Sequence, residues 1–190
     1  MATRNGNVSD QKTNSLVNIL SFLIINSFLA VLFLLGANPI IWGAYLTILV
    51  LMVAGGFIGT IFSSKKWEYR FSQGGIIIPI AYGFLGLLIP MVGNWQPKII
   101  DKKTYRSDLG KIALPIWLMY LGILLANLLL GESNLFLSAL SNFAGIFVIF
   151  NMIPIYPIEQ FGGRRILDWN RKIYIALWII SAAILILGFI

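Results

Sequence analysis

Apolar runs alternate with short polar segments along the whole chain. Residues 16–35, 40–62, 112–130, 135–153 and 173–190 are each continuous enough in apolar side chains to form a membrane-crossing helix. Such a helix needs roughly 20 residues at about 1.5 Å per residue. Gly36-Ala37-Asn38-Pro39 and Gly131-Glu132-Ser133-Asn134 read as turns between successive spans. Residues 74–93 are apolar as well, but Gly74, Gly75, Pro79, Gly83, Gly86 and Pro90 make a poor straight helix. The pattern predicts an all-α polytopic membrane domain over 16–190, preceded by a polar tail at 1–15. It has five transmembrane helices plus a re-entrant segment at 74–93, with six transmembrane helices as the alternative.

Charge distinguishes the two topologies. The chain has 14 Lys and Arg. If 74–93 crosses the membrane, they divide five against nine between the two sides. If it dips and returns, all 14 lie on one side, which the positive-inside rule makes the cytoplasm. We therefore expect a multi-pass protein of the cell membrane with its N-terminus and basic loops cytoplasmic. The first 14 residues lack the basic start, apolar core and small-residue cleavage site of a removed signal peptide.

Composition narrows the chemistry. Hydrophobic residues make up 58% and charged residues 11%, far below the roughly 25% charged of soluble domains. A net charge of +7 in such a chain reports topology and contact with anionic headgroups, so the lipid bilayer is an expected partner and nucleic acid is not. With no Cys and no His, thiolate chemistry and imidazole metal sites are excluded by inventory. Asn127 and Asn142 read as hydrogen-bond partners between helices, and Gly55, Gly56 and Gly59 as a face for close helix packing.

The most informative stretch is 151–169, N-M-I-P-I-Y-P-I-E-Q-F-G-G-R-R-I-L-D-W. Pro154 and Pro157 end an apolar helix and open a loop that contains glycine and arginine. Glu159 is the acid near that opening, and Arg164, Arg165, Lys102 and Lys103 are candidate contacts to lipid or a partner.

Asn151, Pro154, Ile158 and Glu159 match the N-x-x-P-x-x-x-L-D-G pattern of the site-2 protease family of intramembrane zinc metalloproteases, with Glu for Asp and Gln160 for Gly. Trp67-Glu68-Tyr69-Arg70-Phe71-Ser72 resembles the stretch after that family's zinc helix. Asp108-Leu109-Gly110-Lys111-Ile112-Ala113-Leu114 resembles the entry to its next core helix. The resemblance runs from about residue 46 to 190 and implies a site-2-protease-like core. The family's H-E-x-x-H would fall near Val53-Ala54-Gly55-Gly56-Phe57, where no ligand or base stands. A zinc site takes three or four protein ligands, so the resemblance implies a pseudoprotease with no metal, no cofactor and no catalytic residues. What remains of the motif is Asn151, Pro154, Pro157, Ile158 and Glu159.

The expected function is a non-catalytic binding or scaffolding subunit for another membrane protein or transmembrane segment. The family fold captures an extended segment at a sheet edge, which requires backbone groups rather than zinc. The alternatives are an intramembrane peptidase with an atypical site, and a small transporter built on the broken segments 74–93 and 152–157.

Overall fold

The computed structural model describes residues 15–34, 36–63, 66–71, 77–84, 89–90, 93–98, 105–131, 134–155 and 161–188. The fold is mostly helical: α1 (Ser15–Phe33), α2 (Pro39–Ile61), α3 (Ile77–Phe84), α4 (Tyr105–Leu130), α5 (Leu135–Met152), α6 (Gly163–Trp169) and α7 (Arg171–Leu187). Two strands, β1 (Trp67–Phe71) and β2 (Gly93–Pro97), flank α3 in the chain. Four helices, α1, α2, α4 and α5, have the length and apolar composition to cross a membrane.

Asparagine sets the start of several helices. Asn38 accepts a hydrogen bond from the Ile40 N–H at 2.9 Å, with Pro39 at the first helical position, where its missing N–H costs nothing. Asn134 caps α5 through the N–H groups of Phe136 and Leu137, and Asn170 caps α7 through those of Lys172 and Ile173. Each cap satisfies donors that a helix start otherwise leaves open.

The α4 helix lies at the centre and packs against α2, α5, α6 and α7. Its Trp117 is fully buried, donates to Ser181 Oγ at 3.0 Å and meets the Tyr174 ring edge-on at 5.8 Å. Tyr120 packs on Phe147 with centroids 5.3 Å apart. Leu16, Ile24 and Phe28 on α1, Leu129 on α4 and Ile175 and Ile179 on α7 face outward, as a lipid-contacting surface requires. Between helices in lipid there is little hydrophobic drive, so close packing and polar contacts such as Trp117–Ser181 hold the bundle.

Three features were not in the sequence expectation: the strand pair, the early start of α4 and the helix α6. Within 74–93, expected as a re-entrant or broken segment, the described residues include α3, a helix of 8 residues. At about 1.5 Å per residue it is far shorter than the roughly 30 Å hydrocarbon layer. Its flanks pair in a two-stranded antiparallel sheet with Phe71 opposite Gly93 and Trp67 opposite Pro97, so the chain returns beside the point it left. The expected 112–130 span begins earlier, at Tyr105, because Arg106, Asp108 and Lys111 extend α4 by two turns, with Asp108 favoured in the first turn of the helix. The expected loop over 156–172 contains α6, a short helix entered through Gly162 at a left-handed φ of 108° that glycine tolerates.

Candidate functional site

In the stretch 53–57 of α2, where the resemblance places a zinc-binding helix, Gly55 and Gly56 form a packed contact. A Cβ on Gly55 would lie 2.8 Å from Met119 Cε, one on Gly56 2.5 Å from Trp95 Cδ1, and one on Gly59 2.5 Å from the Ile112 Cα. The glycines thus let the backbone of α2 approach α4 and the Trp95 ring directly. Trp95 also donates its indole N–H to the Val53 carbonyl at 3.0 Å. Val53, Ala54 and Phe57, which stand where the family pattern has its ligands and base, line an apolar cavity of about 340 Å³ with Ile19, Leu23, Val50 and Trp95. Among the described residues, no group of three His, Cys, Asp or Glu comes together.

Asn151 is buried and donates from Nδ2 to the Phe147 carbonyl, 2.8 Å away and one turn back. Its own backbone carbonyl occupies the space a Cβ on Gly163 would take, so Gly163 seats the start of α6 on the end of α5. Pro154 follows the helix end, where the Ile153 N–H turns back to the Phe150 carbonyl. Pro157, Ile158 and Glu159 lie outside the described residues, as do Lys102 and Lys103. Arg164 is exposed and pairs with Asp168 at 3.1 Å along α6, while Arg165 is half-buried on the same helix. The described part of the motif therefore forms a structural junction between α5 and α6.

The hairpin carries more functional geometry than its sequence announces. Lys98 N–H bonds the Lys66 carbonyl, so residues 66, 68 and 70 direct their backbone groups toward β2, and Trp67, Tyr69 and Phe71 direct theirs outward. The outward groups of Tyr69 are taken by α1: its N–H donates to Ser15 Oγ at 3.2 Å, and its carbonyl accepts from Asn18 Nδ2 at 2.8 Å. One edge of the sheet is thereby closed. On the other edge Trp95, paired with Tyr69, directs its N–H and carbonyl away from β1. Among the described residues no hydrogen bond reaches them. Pro97 ends that strand without an N–H, as edge strands allow.

Tyr69 and Trp95 meet edge-on at 5.5 Å on the core face, and Phe22 of α1 adds a second edge contact to Tyr69 at 5.6 Å. Burial pushes the Tyr69 phenol well above its ordinary range, and neighbouring Tyr120 raises it further.

Sequence reasoning passed over Glu68 and Asp108, both buried acids. Glu68 forms an ion pair with Arg70, two positions on and therefore on the same strand face. The available signal was the alternation W-E-Y-R-F, legible as a strand only once a partner strand is known. Asn127 and Asn142, expected to bond across helices, line a groove instead, and Asn127 Oδ1 is shielded without a hydrogen-bond partner among the described residues.

Comparison of the chain with protein-family models, curated proteins and solved structures returned no match.

Proposed function

We propose that the chain is a multi-pass cell-membrane protein with a site-2-protease-like core that binds an extended segment of a membrane partner without cleaving it. The observation that carries this function is the hairpin, with its β1 edge closed by Ser15 and Asn18 and its Trp95 backbone groups directed outward on β2. An extended segment of a partner adds there as a third strand, gaining main-chain hydrogen bonds that need no particular side chain.

Two further observations support the same function. The positions that the resemblance assigns to H-E-x-x-H carry Val53, Ala54 and Phe57, whose side chains offer neither a metal ligand nor a base. The antiparallel return of the chain at Phe71 and Gly93 fits a re-entrant 74–93, five spans and a common cytoplasmic side for the basic segments. Arg164, Arg165, Lys102 and Lys103 then lie on that side, at the lipid headgroups.

The test is capture. A photo-crosslinking residue at Gln96, next to the Trp95 backbone, should join the chain to a membrane protein present in equal amount after purification in mild detergent. Repeated isolation of a lone chain, with no crosslinked product, would contradict the proposal.

A further inference from the structure

The two faces of the hairpin differ in charge. Tyr69 and Trp95 turn toward the helices, where they meet Phe22 and Phe57. The pleat then places Lys66, Glu68 and Arg70 on the opposite face, with Gln96 and Lys98 across from them. Glu68 is buried and paired with Arg70, so the two lysines carry the net charge of that face. The Lys98 N–H bonds the Lys66 carbonyl at 3.0 Å, which sets the lysines directly opposite each other at the end of the ladder. Both are exposed, and among the described residues neither ammonium group has a hydrogen bond or an ion pair. Like charges placed in this way repel, and an anion beside them relieves the repulsion.

Position decides which anion fits. Lipid phosphates lie around the helix ends, whereas this face turns away from the helices. The open edge of β2 leads to the same place: Lys98 follows Pro97, whose carbonyl points outward as the Trp95 groups do. A segment added to that edge therefore runs past Lys98. Its residue opposite Trp95 projects toward the bundle with the Trp95 ring. The residue three positions along projects on the other face, beside Lys98, with Cβ atoms roughly 4.5–5.5 Å apart. Lys66 stands one strand further, roughly 4.8 Å away, which a flexible four-carbon side chain spans.

We infer that the segment captured at β2 is acidic at this position: an Asp or Glu, three residues from the side chain that faces Trp95, pairs with Lys98 and Lys66. This rests on strand addition at the hairpin and names the chemistry of the partner that adds there. The main-chain bonds to Trp95 hold any extended segment, whereas the lysine pair selects among segments. It also fixes the register, because a shift of two residues carries the acid roughly 7 Å along the strand and away from both lysines.

The test uses the full chain in phosphatidylcholine nanodiscs and fluorescent seven-residue peptides, blocked at both ends, of alternating Thr and Val with Val at the centre. Glu replaces the first or the last residue, each three from the centre, so that either strand direction is covered, and a peptide with Gln at both ends is the neutral reference. One of the two Glu peptides should bind about two- to five-fold more tightly than the Gln peptide for each lysine it meets, the range for exposed ion pairs, and the gain should shrink with salt. Lys98→Gln, at an exposed position, should remove most of the gain while leaving the Gln peptide unaffected, and Lys98→Glu should prefer a peptide with Lys in the same place. N-methylation of the three central residues removes the main-chain donors in either strand direction and should abolish binding of every peptide. Glu and Gln peptides that bind alike, while N-methylation still abolishes binding, overturn the acidic preference and leave strand capture standing. No binding by any peptide, or binding indifferent to N-methylation, overturns strand capture and the preference with it. Equal Glu and Gln binding, together with a Lys66→Gln, Lys98→Gln double variant that no longer enriches phosphatidylglycerol in mixed-lipid nanodiscs, assigns the lysines to lipid and overturns the partner acid.

Discussion

At Gly59 the missing Cβ sets how near α2 and α4 approach, because the atom it would meet is the Ile112 backbone, which has no rotamer to yield. Gly59→Ala should therefore destabilise the protein by about 1–3 kcal/mol, the usual cost of overpacking. Gly122→Ala, where nothing lies within 4 Å, should leave stability unchanged or slightly raised. Thermal unfolding of both variants in one detergent checks the pair, and equal melting temperatures would contradict the close packing. Tyr69 allows a second prediction. Its phenol is buried, without a partner among the described residues, and raised in pKa, so the folded protein holds it neutral. Its contribution to stability is constant below the unfolded value, about pH 10, and is lost as pH rises above that because only the unfolded chain ionises freely. Tyr69→Phe, which removes that hydroxyl, should equal or exceed the parent in stability near neutrality, and its advantage in denaturation should grow above about pH 10.

Residues of this kind show what sequence conveys. The Gly55, Gly56 and Gly59 face was legible as a packing surface because three small residues on one apolar helix have few other uses. The burial of Glu68 was not, since its environment depends on β2, which lies 25 residues away in the chain at the nearest strand residue. Asn127 and Asn142 were legible as polar groups in apolar helices. Whether they meet each other or line a groove depends on how α4, α5 and α7 diverge, and no local pattern encodes that.

Among elements, the long helices follow directly from apolar length, with α1, α2 and α5 beginning or ending within two residues of the expected spans where described. The ends that moved did so for stated local reasons. Arg106, Asp108 and Lys111 are charged yet helical, so an apolar-run boundary places the start of α4 too late. In α6 the short segment lacks a run long enough to signal a helix, and it forms against the end of α5 through Gly163. The hairpin was hidden for another reason: its two strands have 5 residues each and pair across an apolar segment that dominates the local pattern. Their pairing leads to a topological prediction. Single cysteines at Ser63 and Lys98 should react equally with a membrane-impermeant thiol reagent from the cytoplasmic side, and a cysteine at Asn134 only from the opposite side. The chain has no cysteine of its own to obscure the result. Opposite accessibility of Ser63 and Lys98 would require a full crossing between them and would contradict the hairpin.

For the whole molecule, the proposed function couples an intact membrane core to a site that captures without cutting. Metal provides one check on it. Purified protein should hold zinc well below one atom per chain, and a chelator should leave the melting temperature unchanged, because removing an ion that is not bound cannot shift the folding equilibrium. Glu159→Gln should likewise leave the melting temperature unchanged. One tightly held zinc per chain, lost in that variant, would overturn the pseudoprotease assignment.

The most direct measurement is the intact mass of whatever segment crosslinks beside Trp95 when the photo-crosslinker stands at Gln96. A binding subunit gives one partner per chain, attached through an extended segment and retaining its full length after prolonged incubation. A captured segment that shortens with time would show cleavage, and no captured segment at all would remove the binding site; either result contradicts the account.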